Sequence, residues 1–261
     1  MSQRLLVIKI GNSNVTIGVF ERSHLLATWR AHTETDKTAD EYAILLDDFF
    51  AQSALPVDGW RGVSIVSVVP PLTTTFQELC RRHLDVDPLV VGPGVKTEMP
   101  IRYDDVRALG ADRFVAAVAA KAKFGAPVIV IDFGTATTFN AVNRAGEYVG
   151  GAISPGLNLA ADALHHSTAQ LPHVDLAMPP RAIATNTIHA MQSGILLGYV
   201  GMVEGMIARM RGELGEPRAR VIATGGLARM LAPQTRLIEA VEPDLILEGL
   251  RIIFEMNEGK R

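Results

Sequence analysis

The stretch LLVIKIGNS at residues 5–13 has a counterpart in VIVIDFGTA at residues 128–136, 123 positions further along the chain. Each copy is an apolar run followed by a charged residue, an apolar residue, a glycine and small polar residues. Continuous apolar runs bounded by turn residues are typical of buried strands. A second apolar segment follows each glycine, so we predict two hairpins, each of which begins one half of the chain.

Strands and helical patterns alternate along the rest of the chain. Further strands are predicted at 63–69 and 221–223, each followed by a turn and a helical pattern. Apolar residues at three- and four-residue spacing predict helices at 36–54, 73–84, 110–124, 157–169, 187–214 and 245–257. This alternation favours an α/β fold with a mixed sheet in each half. We predict domains at 1–118 and 119–261, with the functional site in a cleft between them.

The composition indicates a globular protein with little net charge. Of the 261 residues, 48% are hydrophobic and 20% are charged, which argues against disorder. The 25 basic and 28 acidic side chains leave a formal charge of −3, so neither nucleic acid nor a membrane is an expected partner. The sequence contains no obvious export signal or bilayer-spanning apolar run, and Cys80 is its single cysteine. We therefore expect a cytoplasmic protein without intramolecular disulfides.

Three turns of glycine and small polar residues are candidates for phosphate binding. We define them as the first turn (11–14), the second turn (134–138) and the third turn (224–226). Such a turn can direct successive backbone N–H groups toward one anion without a charged side chain. One such turn is more often an ordinary connection, but the first and second turns belong to the repeat. They predict a nucleotide bound through its phosphates, although neither the P-loop nor the dinucleotide-binding motif is present.

Six short motifs, spread over most of the chain, carry a resemblance to a known family. They are IGNSN at 10–14, SVVP at 67–70, GADR at 110–113, DFGTATT at 132–138, GGAISPG at 150–156 and TGGLA at 224–228. In this order and spacing they resemble the type III pantothenate kinases, also called the Bvg accessory factor family. The resemblance implies a duplicated actin-like/sugar-kinase fold, which is ribonuclease H-like and has a cleft between two mixed-sheet domains.

The same resemblance implies a reaction and the molecules that take part in it. The reaction is transfer of the γ-phosphoryl group of ATP to pantothenate, which gives 4′-phosphopantothenate in the first step of coenzyme A biosynthesis. Mg²⁺ and a monovalent cation, K⁺ or NH₄⁺, are the implied ions. The implied assembly is a homodimer.

The resemblance also implies roles for individual residues. Asp112 matches the base that accepts the hydroxyl proton of pantothenate, and Asp132 matches the ligand of the monovalent cation. The residues expected to contact pantothenate are Tyr103, Gly110, Ala111, Asp112, Arg113 and Thr187. The residues expected to contact ATP are Lys9, Ile10, Gly11, Asn12, Ser13, Asn14, Val15, Thr16 and Thr135. These residue types suit phosphoryl transfer, which requires positioning, charge neutralisation and a carboxylate near the nucleophile.

Structural interpretations of four of these residues remain open beside the functional ones. Asp112 and Arg113 also fit a helix start, where an acidic side chain caps and pairs at the surface. Asp132 also fits a solvated acid at a strand end, and Tyr103 also fits an aromatic side chain packed in the structure. The family match favours the functional interpretation of Asp112, and the repeat favours that of Asp132.

Lys9 departs from the family pattern, which has aspartate at this position to help hold Mg²⁺ on the ATP phosphates. The reversed charge leaves three interpretations open: weakened metal-dependent catalysis, direct contact with phosphate, or a side chain that extends away. An accessory protein that retains the fold is the alternative function that Lys9 suggests. Two smaller departures affect the substrate loop, at 105–106, and the second hairpin, where Asn140 replaces an aspartate.

The predicted helix at 187–214 carries glycines at 194, 198, 201 and 205, which fall along one stripe. A glycine inside a helix costs up to about 1 kcal/mol relative to alanine, so the stripe indicates close approach of another helix. That helix can belong to the same chain or to a second subunit. The family resemblance favours a symmetric dimer with this helix at or beside the interface.

Overall fold

The computed structural model describes residues 4–56 and 58–259. Two five-stranded mixed sheets and their covering helices form two compact units. The first unit contains Met1–Glu98, Asp104–Ala119 and Leu245–Arg261, and the second contains Met99–Tyr103 and Ala120–Asp244.

The predicted N-terminal hairpin forms the centre of the first sheet. Its strands are β1 (Arg4–Ile10), β2 (Asn14–Glu21), β3 (His24–His32), β4 (Trp60–Ser67) and β5 (Leu89–Val90). Their order is β3-β2-β1-β4-β5, in which β1 to β3 are antiparallel and β4 and β5 are added in parallel. The register sets Lys9 between Thr16 of β2 and Val66 of β4, so this charged residue lies on a central strand.

The second sheet repeats the topology of the first. Its strands are β6 (Val128–Phe133), β7 (Ala136–Val142), β8 (Tyr148–Pro155), β9 (Arg220–Thr224) and β10 (Ala240–Val241). The order β8-β7-β6-β9-β10 matches that of the first sheet, with the same parallel and antiparallel pairings. Asp132 lies between Thr138 of β7 and Thr224 of β9. Lys9 has the equivalent position between Thr16 and Val66 in the first sheet. The predicted duplication is therefore confirmed as a repeat of topology.

Every helix predicted from the sequence is present, with adjusted ends. The helices are α1 (Ala39–Gln52), α2 (Pro70–His83), α3 (Ala111–Phe124), α4 (Leu157–His166), α5 (Thr187–Gln192), α6 (Gly198–Leu214), α7 (Ala228–Leu231) and α8 (Leu245–Asn257). Helix α1 starts later than predicted because Thr38 and Glu41 form a capping box, in which Glu41 Oε2 accepts from the Thr38 backbone N–H at 2.8 Å. Helix α2 starts earlier because Pro70 suits the first helical position.

The first unit has helices on both faces of its sheet. Leu6, Ile8 and Ile10 of β1 lie in a buried cluster with residues of α1 and α2. On the other face α8 packs against β1 and β4. A Cβ added to Gly18 would lie 3.0 Å from Leu247 Cδ1, so glycine permits this close approach. The unit therefore includes the C-terminal helix, whereas the sequence alone predicts that this helix belongs to the domain at 119–261.

A π-helical turn, Ser193–Leu197, joins α5 to α6. We call the resulting segment, Thr187–Leu214, the long helix. By length and composition alone it is the one helix of the described chain that is apolar enough to cross a membrane, a test that core helices also pass. Leu196, Val203 and Ile207 are buried in the core of the second unit.

The glycine stripe of the long helix does not pack against the rest of the described chain. A Cβ added at Gly194, Gly198, Gly201 or Gly205 would meet no heavy atom within 4 Å outside the helix backbone. Of the two interpretations, close packing within the chain therefore does not account for the stripe.

Candidate active site

The first turn is held in shape by hydrogen bonds to its carbonyl groups. The Gly11 backbone N–H donates to the Asn14 carbonyl oxygen, with 3.0 Å between N and O. Thr33, just after β3, donates two hydrogen bonds to this turn. Its Oγ1 donates to the Gly11 carbonyl oxygen at 2.6 Å, and its backbone N–H donates to the Ser13 carbonyl oxygen at 3.1 Å. Residues 12–14 are exposed. The turn thus combines a fixed backbone with open access for a ligand.

The predicted ATP residues around the first turn have different environments. Ile10 and Val15 are buried in the core of the first unit, so they offer a ligand only their backbone. Lys9 and Thr16 are half-buried. A Cβ added to Gly11 would lie 3.8 Å from Lys9 Cε, so the lysine side chain extends along the turn. The structure therefore brings a cationic side chain to the first turn.

The second turn is enclosed by Gly156, the residue that follows β8. The Gly156 backbone N–H donates to the Thr135 carbonyl oxygen at 3.1 Å, and the Gly134 N–H donates to that of Ala136 at 3.2 Å. A Cβ at Gly156 would collide with the carbonyl oxygen of Thr135 and approach that of Gly134 to 2.6 Å. This close approach explains why the motif GGAISPG ends in glycine. Thr135 itself is exposed.

Tyr199 of the long helix supports the second turn from inside the protein. Its hydroxyl is within hydrogen-bond distance of Thr137 Oγ1, which is buried, and of the Pro155 carbonyl oxygen at 3.2 Å. Burial raises the pKa of Tyr199, and the hydrogen bond with Thr137 partly offsets this effect. The phenol is therefore protonated at neutral pH and can donate.

The third turn packs against Asp132 at the end of β6. Gly225 has a φ of +91°, and a Cβ there would collide with Asp132 Oδ1 and lie 2.6 Å from the Phe133 carbonyl oxygen. Glycine is needed for both the backbone conformation and the space. Asp132 is half-buried, so it is not a fully solvated strand-end acid. A carboxylate and a carbonyl oxygen bordering one glycine are suitable ligands for a hard cation.

Asp112 and Arg113 lie in the first turn of α3. Asp112 Oδ1 accepts from the Arg113 backbone N–H at 2.8 Å, and the N–H groups of Arg113 and Phe114 donate to the Gly110 carbonyl oxygen at 3.1 and 3.3 Å. The Arg113 side chain is buried, whereas Asp112, Gly110 and Ala111 are half-buried. Asp112 thus has the contacts of a helix-start residue, and these contacts fix the direction of its carboxylate.

Tyr103 rests on a buried polar network that the sequence analysis did not identify. Its ring centroid lies 6.3 Å from the ring centroid of Tyr148. The Tyr148 carbonyl oxygen accepts a hydrogen bond from the Arg102 backbone N–H at 2.7 Å. The Tyr148 hydroxyl donates to Asn140 Oδ1 at 2.9 Å, and Asn140 Nδ2 donates to Thr138 Oγ1 at 3.1 Å. Asn140, one of the departures from the family pattern, is thereby connected to the second turn.

Thr187 begins α5 and is exposed. It borders a groove of about 610 Å³ in the second unit. The other lining residues include Ser154, Pro155, Met191, Gly194, Gly198, Tyr199 and Met202. Of the residues predicted to contact pantothenate, Thr187 is the one that lines this groove.

The predicted site residues are divided between the two units. The first unit contains residues 9–16 and 110–113, and the second contains Tyr103, Asp132, Thr135 and Thr187. Within the described ranges, no three or more His, Cys, Asp and Glu side chains are grouped to hold a metal ion.

Two solved structures of low sequence identity have the same fold. ROK hexokinase from Thermus thermophilus has a TM-score of 0.51 at 11% identity, covering 97% of this chain and 99% of the hexokinase chain. MreB 5 of Spiroplasma citri bound to AMPPNP has a TM-score of 0.54 at 11% identity, covering 100% of this chain and 97% of its own. The predicted actin-like/sugar-kinase fold is confirmed.

Sequence comparison gives the family. A protein from Geobacter sulfurreducens named type III pantothenate kinase is 50% identical over 253 residues, covering 97% of this chain and 99% of that protein. A protein of the same name from Myxococcus xanthus is 49% identical over 255 residues, covering 98% of this chain and 99% of its own length. The family model described as type III pantothenate kinase matches residues 5–209. The chain therefore belongs to the type III pantothenate kinase family.

Proposed function

We propose that this protein transfers the γ-phosphoryl group of ATP to the hydroxyl of pantothenate, giving 4′-phosphopantothenate for coenzyme A biosynthesis. The observation that carries the proposal is membership of the family along almost the whole chain. The repeated glycine turns support it, because phosphoryl transfer depends mainly on positioning and charge neutralisation.

In this proposal the first and second turns contact the phosphates of ATP. Residues 9–16 form the first set of contacts and Thr135 contributes to the second. Exposure of residues 12–14 and of Thr135 supports the assignment, because a phosphate must reach the backbone N–H groups of each turn.

Asp112 is the proposed base. As the pantothenate hydroxyl oxygen forms a bond to the γ-phosphorus, Asp112 accepts the hydroxyl proton. The bond from the γ-phosphorus to the β,γ-bridging oxygen breaks and ADP leaves. The hydrogen bond from the Arg113 backbone N–H to Asp112 Oδ1 supports this role, since it restrains the carboxylate.

The proposed pantothenate contacts are Tyr103, Gly110, Ala111, Asp112, Arg113 and Thr187. Arg113 offers a fork of donors that suits a carboxylate or a phosphoryl group. Tyr103 and Thr187 offer hydroxyl groups for the polar groups of pantothenate. Packing of Tyr103 against Tyr148 supports a fixed position for the first of these hydroxyls.

A kinase of this family implies ATP and a divalent metal ion, which neutralises phosphate charge when it is bound. Asp132 and the Phe133 carbonyl oxygen fit a cation beside Gly225, and we propose K⁺ or NH₄⁺ as the monovalent ion there. The first turn does not fit a divalent ion in the same way, because Lys9 occupies the position equivalent to Asp132.

We also propose that the protein is a cytoplasmic homodimer that binds neither nucleic acid nor membrane. The open glycine stripe supports an interface at the long helix. Ile183 and Ile188, which are 83% and 51% exposed, add apolar surface near its start. Light scattering at micromolar concentration should give the mass of a dimer, and a monomer mass would contradict this part of the proposal.

Formation of 4′-phosphopantothenate tests the proposed reaction directly. Purified protein with ATP, Mg²⁺, K⁺ and pantothenate should give the product by mass spectrometry, with one ADP for each product molecule. Reactions without pantothenate should release little ADP. Binding of ATP with no product would instead indicate the accessory role suggested by Lys9, which the 48–50% identity to proteins named as kinases does not favour.

A further inference from the structure

The two repeats carry opposite charges at the same place. Lys9 and Asp132 each lie second from the end of a central strand, β1 or β6. Each faces an antiparallel neighbour in the following strand, Thr16 or Thr138, and a parallel neighbour on the other side. The strand pairing around the two positions is thus the same, and the two turns differ in the charge of the side chain at this position.

The side chain of Lys9 is directed toward the first turn. Because side chains alternate along a strand, Lys9 and Gly11 lie on the same face, opposite the buried Ile8 and Ile10. The 3.8 Å separation between Lys9 Cε and a Cβ added to Gly11 agrees with this direction. This position contradicts a side chain that extends away from the turn.

An ammonium and a carboxylate at this position bind a polyphosphate differently. A carboxylate and a phosphate repel each other, so a cation must lie between them. An ammonium offers three donors and binds phosphate oxygens directly, with charge-assisted hydrogen bonds. Thr33 donates to the Gly11 carbonyl oxygen, and residues 12–14 are exposed, so an anion bound at this turn would meet backbone N–H groups as well as the ammonium.

We propose that Lys9 binds the nucleotide phosphates directly, so that the first turn binds ATP without a bridging divalent ion. The inference rests on the proposed function for the identity of the nucleotide. Its consequence is that removal of Mg²⁺ weakens nucleotide binding less in this protein than in a variant with a carboxylate at position 9.

Equilibrium binding of ATP by titration calorimetry, in excess EDTA and again with Mg²⁺, tests this inference. In EDTA, Lys9→Gln should bind ATP about tenfold more weakly than the natural protein, which corresponds to one charge-assisted hydrogen bond. Lys9→Arg should retain binding because it keeps the positive charge. Lys9→Asp should bind more weakly still in EDTA and should gain the most affinity from Mg²⁺.

Arg22→Gln is the matched control for loss of one positive charge. Arg22 lies between β2 and β3, at the end of the sheet away from the first turn, and its replacement should leave ATP affinity unchanged. Circular dichroism and thermal unfolding should establish that each variant is folded. Equal ATP affinities in EDTA for the natural protein and folded Lys9→Gln would overturn the inference, as would an equal gain from Mg²⁺ in Lys9→Asp.

The binding measurement separates this inference from the proposed reaction. Nucleotide binding that depends on Lys9, in a protein that makes no 4′-phosphopantothenate, would support the inference and contradict the reaction. Product formation with ATP binding that is insensitive to Lys9→Gln would support the reaction and contradict the inference.

Discussion

The first and second turns follow equivalent hairpins, yet they are stabilised in different ways. The first is held by the hydrogen bond from Gly11 to Asn14 and by Thr33, and its residues 12–14 are exposed. The second is enclosed by Gly156, which follows β8, and is supported by Tyr199 from the long helix. Strand pairing thus maintains the shape of a repeated turn, while the surrounding side chains can change its charge and rigidity.

The largest expected effect is on kcat, from a substitution at Asp112, which lies outside both turns. Asp112→Asn should lower kcat by about 10²- to 10⁴-fold, because the variant no longer has a carboxylate that accepts the hydroxyl proton. ATP affinity should change little if the turns bind the nucleotide. Steady-state kinetics and ATP calorimetry on the same preparation provide the two measurements.

Asp87→Asn is a suitable control, because Asp87 forms an exposed ion pair with Arg81 at 2.8 Å. This variant should keep its activity, since exposed ion pairs contribute little to stability. A folded Asp112→Asn enzyme with unchanged kcat would contradict the proposed base.

The hairpins and helices were predictable because buried apolar runs and helical spacing are local signals. Four strands are not predicted by the sequence. Residues of β3 alternate between exposed and half-buried, glycines interrupt β8, and β5 and β10 have two residues each. None of the four presents the continuous apolar run that identifies β1 and β6. The placement of α8 in the first unit was missed as well, because its packing on β1 and β4 depends on tertiary contacts.

The candidate site was predictable only where short motifs mark it. Thr33 lies 22 positions from Gly11, and Tyr199 lies 62 positions from Thr137, so no local pattern connects either pair. In the sequence, Tyr148 likewise cannot be distinguished from an ordinary core aromatic residue. The structure shows that its hydroxyl donates to Asn140. Residues that support a turn from a distance thus require the structure.

Adding a methyl group at each turn should change the free energy of unfolding by different amounts, because the two turns differ in rigidity. Gly156→Ala should lower the free energy of unfolding by about 2–3 kcal/mol, because its Cβ would collide with backbone oxygens that cannot move away. Gly11→Ala should cost less than about 1 kcal/mol, since its Cβ would lie 3.1 Å from one carbonyl oxygen beside a solvent-exposed turn.

Urea unfolding measures both changes, and Gly212→Ala provides the control. Gly212 is inside α6, where a Cβ would meet open space, so this change should stabilise the protein by up to about 1 kcal/mol. Equal losses for Gly11→Ala and Gly156→Ala would show that the two turns are equally rigid, contrary to our comparison.

Removing a single hydroxyl from each support should give smaller effects. Thr33→Val loses the hydrogen bond to the Gly11 carbonyl oxygen, and Tyr199→Phe loses the contact with Thr137 Oγ1. Each should lower the free energy of unfolding by about 1 kcal/mol. Thr33→Val should also raise the Kd for ATP, since it loosens the proposed phosphate contacts of the first turn. Unchanged ATP affinity in the folded variant would argue against a role of Thr33 in holding the first turn for nucleotide.

The smallest expected effect is a pH dependence of stability that arises from Tyr199 at the second turn. Burial raises the pKa of Tyr199 above its ordinary value of 10.0, so the folded protein binds the phenol proton more tightly than the unfolded chain. The resulting stability is fully present below pH 10.0 and is lost as the pH rises through the higher pKa of the folded state. The natural protein should therefore lose more stability than Tyr199→Phe between pH 9 and about pH 11, whereas Thr33→Val should follow the natural protein. Parallel curves of unfolding free energy against pH for the natural protein and Tyr199→Phe would show that Tyr199 is not buried at the second turn in solution.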